Sequence, residues 1–202
     1  MTGLRRGVAR QLGHPRGGFG RLLARGLNRL NRDINTAAVE ALEVGGSHHA
    51  VDLGFGGGIG LRGLLDGPAQ RVTGVERASD MLAAATRRFS RELKTGRLTL
   101  LEGSAASIPL ADGEADRLLT VHTLYFWPDA DAGMAELHRV TAPDGRVCVA
   151  IQPREAMEGD PLHEHGFALY SAADLRHLLE GAGFTSVEVR KGERQLLGLA
   201  GR

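Results

Sequence analysis

Two carboxylates and a run of glycines are the residues of this chain best suited to chemistry. Asp52 opens Asp52-Leu53-Gly54-Phe55-Gly56-Gly57-Gly58, a D-x-G-x-G-x-G pattern. Glycines so spaced let the backbone take φ values that side chains resist, and let a ligand lie against the main chain itself. An acid at the start of the bend suits a cationic group, directly or through water. Glu76 follows 18 residues after Gly58. Its two oxygens can accept hydrogen bonds from both hydroxyls of a ribose, and a charged acceptor makes the stronger bond. Dinucleotide-binding proteins place an acid in the same way, so Glu76 alone does not choose between ligands. A G-x-G-x-x-G at Gly58, Gly60 and Gly63 starts late, with its last glycine inside a helix-compatible run. It reads as a chance match.

The densest aromatic stretch is His122-Thr123-Leu124-Tyr125-Phe126-Trp127-Pro128, in a chain only 4% aromatic. A histidine, with its ordinary pKa near neutrality, can orient or deprotonate a hydroxyl or amine. Tyr125 and Trp127 can wall a pocket or set a π face near a cation. The plain alternative is a satisfied strand histidine, with the aromatics covering the next helix. His122 and Tyr125 are the candidate catalytic residues. His163, His165 and Tyr170 lie in a later loop that can overhang the same place. His163-x-His165 lacks a defined third ligand, so no metal is expected.

These residues need elements to hold them. Apolar and β-branched runs predict strands at His49–Leu53, Arg71–Glu76, 97–101, 117–124 and 146–152. Helical spacing covers 36–44, the run from Leu61, 79–93, 131–140 and 171–180, with Ser79 and Ser171 as expected N-caps. Pro143-Asp144-Gly145 signals a turn. The runs 186–190 and 195–200 face each other as a terminal hairpin would. Alternation of strand and helix means a mostly parallel sheet covered on both faces. The expected fold is α/β: a three-layer, doubly wound sheet of seven strands, mostly parallel, with an antiparallel strand from the C-terminal hairpin. The glycine bend then falls at a strand carboxyl end, where such sheets bind ligands.

At 202 residues the chain suits one domain with one sizeable core. Its 42% hydrophobic and 24% charged residues are globular values. Cys148 is the single cysteine, which excludes an internal disulfide and a cysteine-based metal cluster. No apolar stretch approaches the roughly 20 residues of a membrane span, and the N-terminal arginines flank no apolar signal core. A soluble cytoplasmic protein is expected. The net charge of +1 hides an asymmetry: the first 32 residues hold eight arginines and no acid, which leaves −7 for the rest. Basic arms of this kind meet nucleic acid, anionic lipid or acidic substrates.

The D-x-G-x-G-x-G motif with Glu76 resembles class I S-adenosylmethionine (SAM) methyltransferases, over about residues 50–202. The resemblance implies that the loop at Asp52, Gly54, Phe55, Gly56 and Gly58 wraps the amino-acid tail and sulfonium of SAM, and that Glu76 holds the ribose. GVERASDML is similar to the family's run after this acid, which makes Arg77 and Met81 neighbours of the adenine. EGSAASIPLADGEAD is similar to a segment usually reading GDA…LPF…D. There Ser104 replaces an acid that bonds the adenine amino group. Its hydroxyl, or the Ala105 backbone N–H, can serve instead. His122 then lies beside the methyl group and the acceptor.

The expected division is a basic N-terminal helical extension or lid, 1–45, and a SAM-binding methyltransferase domain, 46–202. The expected reaction is in-line methyl transfer to a small molecule, with S-adenosylhomocysteine as product. Nucleic acid is not expected as the acceptor, since the chain holds no Asn/Asp-Pro-Pro-aromatic tetrapeptide. A homodimer is the one assembly considered. Two rivals remain: a nicotinamide oxidoreductase, for which no Tyr-x-x-x-Lys pair is found, and a non-catalytic regulator binding SAM or nucleic acid.

Overall fold

The computed structural model describes residues 32–157, 168–192 and 195–202. The arginine-rich arm expected as a lid, and His163 and His165, lie outside them.

The described residues open with helix α1 (Arg32–Ala41), which begins four residues before the expected 36. Ile34, Ala38 and Ala41 recur at helical spacing and bury one stripe in the core, followed by Leu42. Arg146 fastens its end, bonding the Ala41 carbonyl at 3.4 Å and pairing with Glu43 at 2.8 Å.

Strands β1 (His49–Leu53) and β2 (Arg71–Glu76) fall where the apolar runs placed them, separated by α2 (Ile59–Asp66). The expected long helix after β2 divides into α3 (Ser79–Arg88) and α4 (Ser90–Lys94). The break is at Phe89, with φ −106° and ψ 28°, where the ring turns inward and is buried under Gly58. Ser79 is not the cap. Ala78 holds that position without a side-chain bond, and its N–H goes to Glu76 instead. Then come β3 (Leu98–Glu102), β4 (Ala115–Val121), a 3₁₀ turn (Leu124–Phe126), α5 (Ala130–Val140) and β5 (Thr141–Ile151). Pro143-Asp144-Gly145 does not end an element. It sits inside β5, opposite the register shift between Ala115 and Arg117. A bulge absorbs the proline, which has no N–H to donate to a ladder. The chain closes with α6 (Arg154–Met157), α7 (Ala172–Gly181), β6 (Ser186–Lys191) and β7 (Leu196–Gly201). Ser171 does cap α7, in a capping box with Asp174.

The seven strands lie in the order β3-β2-β1-β4-β5-β7-β6. Pairing is parallel from β3 through β5, while β7 runs antiparallel to both β5 and β6. β1 is buried over its whole length, as a central parallel strand covered on both faces must be. Its residues alternate between two cores: Ala50 joins the side of α1, α2 and α3, while Val51 and Leu53 join the side of α5 and α7. Strand order reverses between β1 and β4, so a crevice opens at their carboxyl ends.

Candidate active site

The loop from β1 to α2 turns through three left-handed glycines, Gly54 (φ 71°), Gly56 (φ 48°) and Gly58 (φ 78°). Gly54 has a second reason to be glycine: a Cβ there would come within 2.5 Å of Thr123 Cγ2. The Phe55 side chain is buried in the core against Gly74, so only its backbone is left to a ligand. Its carbonyl accepts the Gly58 N–H at 2.7 Å, and Arg88 holds the loop from outside by donating to the Gly57 carbonyl at 2.7 Å.

Asp52 lies beneath this loop, 3% exposed. The Leu61 backbone N–H favours its charged form, yet Oδ2 has no partner and is sealed from solvent among the described residues. Burial first, and the charge of Glu76 second, push its pKa up to about 7. A Cβ on Gly60 would overlap that Oδ2, so α2 can pass over the carboxylate only as glycine. Gly60 belonged to the pattern read as chance, and its role comes from this close approach instead.

Glu76 ends β2 at 7% exposure. It accepts backbone N–H groups from Gly56 at 2.9 Å, Arg77 at 2.8 Å and Ala78 at 3.0 Å. The acid of one strand therefore organises the loop of its neighbour. Two buried carboxylates, one with an orphaned oxygen, beside a cradle that side chains would fill, fit a ligand carrying positive charge and vicinal hydroxyls.

At the end of β3, Ser104 and Ser107 exchange backbone bonds of 3.2 and 3.0 Å. Ala105 is buried beside them. α5 sets the course of the following segment. Glu136 accepts the Ile108 N–H at 2.9 Å, and Arg139 donates to the carbonyls of Ile108 at 3.1 Å and Leu110 at 3.0 Å. Arg77 is exposed beside the crevice, while Met81 is buried in the core.

At the end of β4, His122 adopts φ 56°, a left-handed value that histidine tolerates better than most residues. Its N–H donates to the Ala150 carbonyl at 2.9 Å, and Nδ1 lies 3.2 Å from the Tyr125 hydroxyl. The two rings stack with centroids 5.9 Å apart. Burial lowers the His122 pKa to about 4 and raises that of Tyr125. The Tyr125 hydroxyl also accepts the Gln152 N–H and lies 3.3 Å from the Gln152 carbonyl. Trp127 packs its ring on Gly133 of α5. Tyr170 is half-buried, and its carbonyl accepts the Arg154 N–H at 2.9 Å. Thr120 donates to the Leu53 carbonyl at 3.0 Å and shares a hydroxyl bond with Thr123. This link between β4 and the glycine loop had no signal in the sequence, where threonine is simply a strand former. Among the described residues no cluster of histidine, cysteine and acids could hold a metal.

A doubly wound sheet of this order, with an acidic glycine loop at its switch point, defines a Rossmann-like fold. Residues 51–149 match the family described as methyltransferase domain. The uncharacterized methyltransferase YdaC of Bacillus subtilis is 25% identical over 161 residues, covering 79% of this chain and 84% of that protein. Methyltransferase GfsG of Streptomyces halstedii is 30% identical over 159 residues, covering 74% of this chain and 57% of GfsG. The fold is also that of a putative methyltransferase solved in complex with the Trm112 activator of Haloferax volcanii. The TM-score is 0.76 at 20% identity, over 88% of this chain and 92% of that one. The chain is thus similar to class I SAM-dependent methyltransferases, and this similarity supports SAM as its cofactor. No helix among the described residues is long and apolar enough to cross a membrane.

Proposed function

We propose that the chain transfers a methyl group from SAM to a small-molecule acceptor held at the carboxyl ends of β4 and β5. The observation that carries the reading is the bond from the Gly56 N–H to Glu76 Oε2, which makes one unit of the loop and the acid. Glu76 keeps a lone pair on Oε2 for a ribose hydroxyl. The backbone of Gly54, Phe55, Gly56 and Gly58 follows the amino-acid tail, over the negative charge of Asp52. Arg77, Met81, Ser104 and Ala105 border the adenine. SAM, when bound, supplies a sulfonium methyl that passes to the acceptor nucleophile and leaves S-adenosylhomocysteine. The protein's part is alignment in a dry crevice, worth up to roughly 7–11 kcal/mol in favourable cases. His122 is neutral at pH 7 and orients the acceptor, while Tyr125 supports it.

The small-molecule reading draws on the names of relatives. They include a 2-methyl-6-phytyl-1,4-hydroquinone methyltransferase of Spinacia oleracea, and the ubiquinone/menaquinone biosynthesis C-methyltransferase UbiE of Syntrophotalea carbinolica. The chain spans 33% of the first and 53% of the second, so these substrates are a guide to class alone. Calorimetry with SAM and NAD, followed by methyl-labelled SAM with a panel of phenols, hydroquinones and amines, tests the proposal. Heat with SAM and label in a small molecule are expected. Heat with NAD and none with SAM would overturn it.

A further inference from the structure

We infer that Tyr125 is a positioning residue that keeps the His122 proton on Nδ1, leaving Nε2 to accept a hydrogen bond from a neutral acceptor molecule bearing O–H or N–H. Among the described residues, the protons and lone pairs around one buried oxygen can be counted. The Tyr125 hydroxyl has one proton and two lone pairs. The Gln152 N–H occupies one lone pair. The Gln152 carbonyl, at 3.3 Å, takes the phenolic proton. The second lone pair then meets His122 Nδ1 at 3.2 Å, and a bond forms there only if Nδ1 carries hydrogen. The opposite arrangement spends the phenolic proton on Nδ1 and gives up the bond to the carbonyl. Three bonds against two favour Nδ1–H, and Tyr125 is too buried for water to repair the difference.

The framework around this oxygen is rigid. His122 is tied to Ala150 through its N–H, and Gln152 follows directly on β5, so the ends of β4 and β5 hold both partners. Among the described residues Nε2 has no hydrogen bond. Nor is it one of the side-chain atoms sealed away without a partner, which are Asp52 Oδ2, Arg62 Nε and Arg117 Nε. It therefore remains open to a ligand. An imidazole that stays neutral above about pH 4 keeps the Nε2 lone pair throughout the physiological range. A hydroxyl or amine donates to that lone pair, whereas a carboxylate or phenolate presents lone pair to lone pair. Asp52 and Glu76 add negative charge on the cofactor side and disfavour an anion further. The choice of acceptor rests on the acceptor site proposed above. The position of the proton does not.

Long-range proton–nitrogen NMR on the nitrogen-labelled protein, without ligand, reads which imidazole nitrogen bears hydrogen. His122→Asn identifies the signal among the 8 histidines. The wild type should show Nδ1–H, and folded Tyr125→Phe should lose that preference. An Nε2–H signal in the wild type overturns the inference, and so does an unchanged signal in Tyr125→Phe. The wild-type spectrum decides alone if that variant does not fold. In the presence of S-adenosylhomocysteine, phenol should bind roughly threefold to tenfold more tightly than benzoate. Equal or tighter binding of benzoate overturns the acceptor class. Failure of S-adenosylhomocysteine itself to bind counts against methyl transfer and leaves the tautomer result standing.

Discussion

Glu76 Oε2 accepts the backbone N–H of Gly56 at 2.9 Å, so the acid that ends β2 holds open the loop that follows β1. Its other oxygen takes the N–H groups of Arg77 and Ala78. One carboxylate thus shapes the loop before any ligand arrives, which reduces the ordering that binding must impose.

Glu76→Ala should therefore weaken SAM binding twice over, through the lost ribose bond and through a looser loop. Hydrogen bonds to a charged group are worth about 1.5–3 kcal/mol, so the dissociation constant should rise roughly 10- to 100-fold. Glu76→Gln, which keeps one acceptor oxygen, should fall between. Calorimetry measures both, and an unaltered affinity in Glu76→Ala would remove the ribose from this position.

Asp52 should make the ligand-free protein less stable as pH rises. Its folded pKa of about 7 lies above the ordinary carboxyl value of 3.8. Between those values the folded state holds a proton that the unfolded state has released. Unfolding free energy therefore declines with pH across that window and levels off above it. Asp52→Asn, which keeps the shape and cannot titrate, should flatten the decline by an amount on the order of a few kcal/mol. Urea unfolding at pH 5 and pH 8 compares the two proteins, and parallel pH profiles would refute the assignment.

The same acid predicts proton release on cofactor binding. A cationic ligand beside Asp52 favours the carboxylate and lowers its pKa. Binding of SAM near pH 6.5 should then release a fraction of one proton, and Asp52→Asn should release less. Calorimetry in buffers of different ionisation enthalpy reads this directly. Equal release from both proteins would place the compensating charge elsewhere.

Gly54→Ala combines a strained φ of 71° with a collision at Thr123 Cγ2. A loss of about 1–3 kcal/mol in stability is expected. Thr123→Ser removes the offending methyl and keeps the hydroxyl that meets Thr120. In the double variant part of the loss should return, leaving the backbone strain. A double-mutant cycle measures this coupling. Strictly additive losses would show that the two residues do not touch.

Much of this architecture was legible in the chain. β1 and β2 announced themselves as short apolar runs closed by glycine or acid, and the terminal hairpin by two runs facing across a polar turn. The left-handed positions of Gly54, Gly56 and Gly58 followed from residue type, since glycine pays no Cβ penalty there. Other features had no local trace. The break at Phe89 arises because its ring turns under Gly58, 31 residues earlier, and no helical period records that. Pro143 read as a turn because a bulge is visible only against the strand beside it.

By itself, then, the amino-acid order determined the alternation of strand and helix, the glycine bend and the acids at its rim, because periodicity and backbone permissiveness are local properties. The tertiary structure alone decided that Asp52 keeps an oxygen without a partner beneath Gly60, that Glu76 reaches Gly56, and that Tyr125 joins His122 to Gln152. Each of those is a meeting of residues from different elements, brought within hydrogen-bond reach or close contact by the order in which seven strands lie side by side.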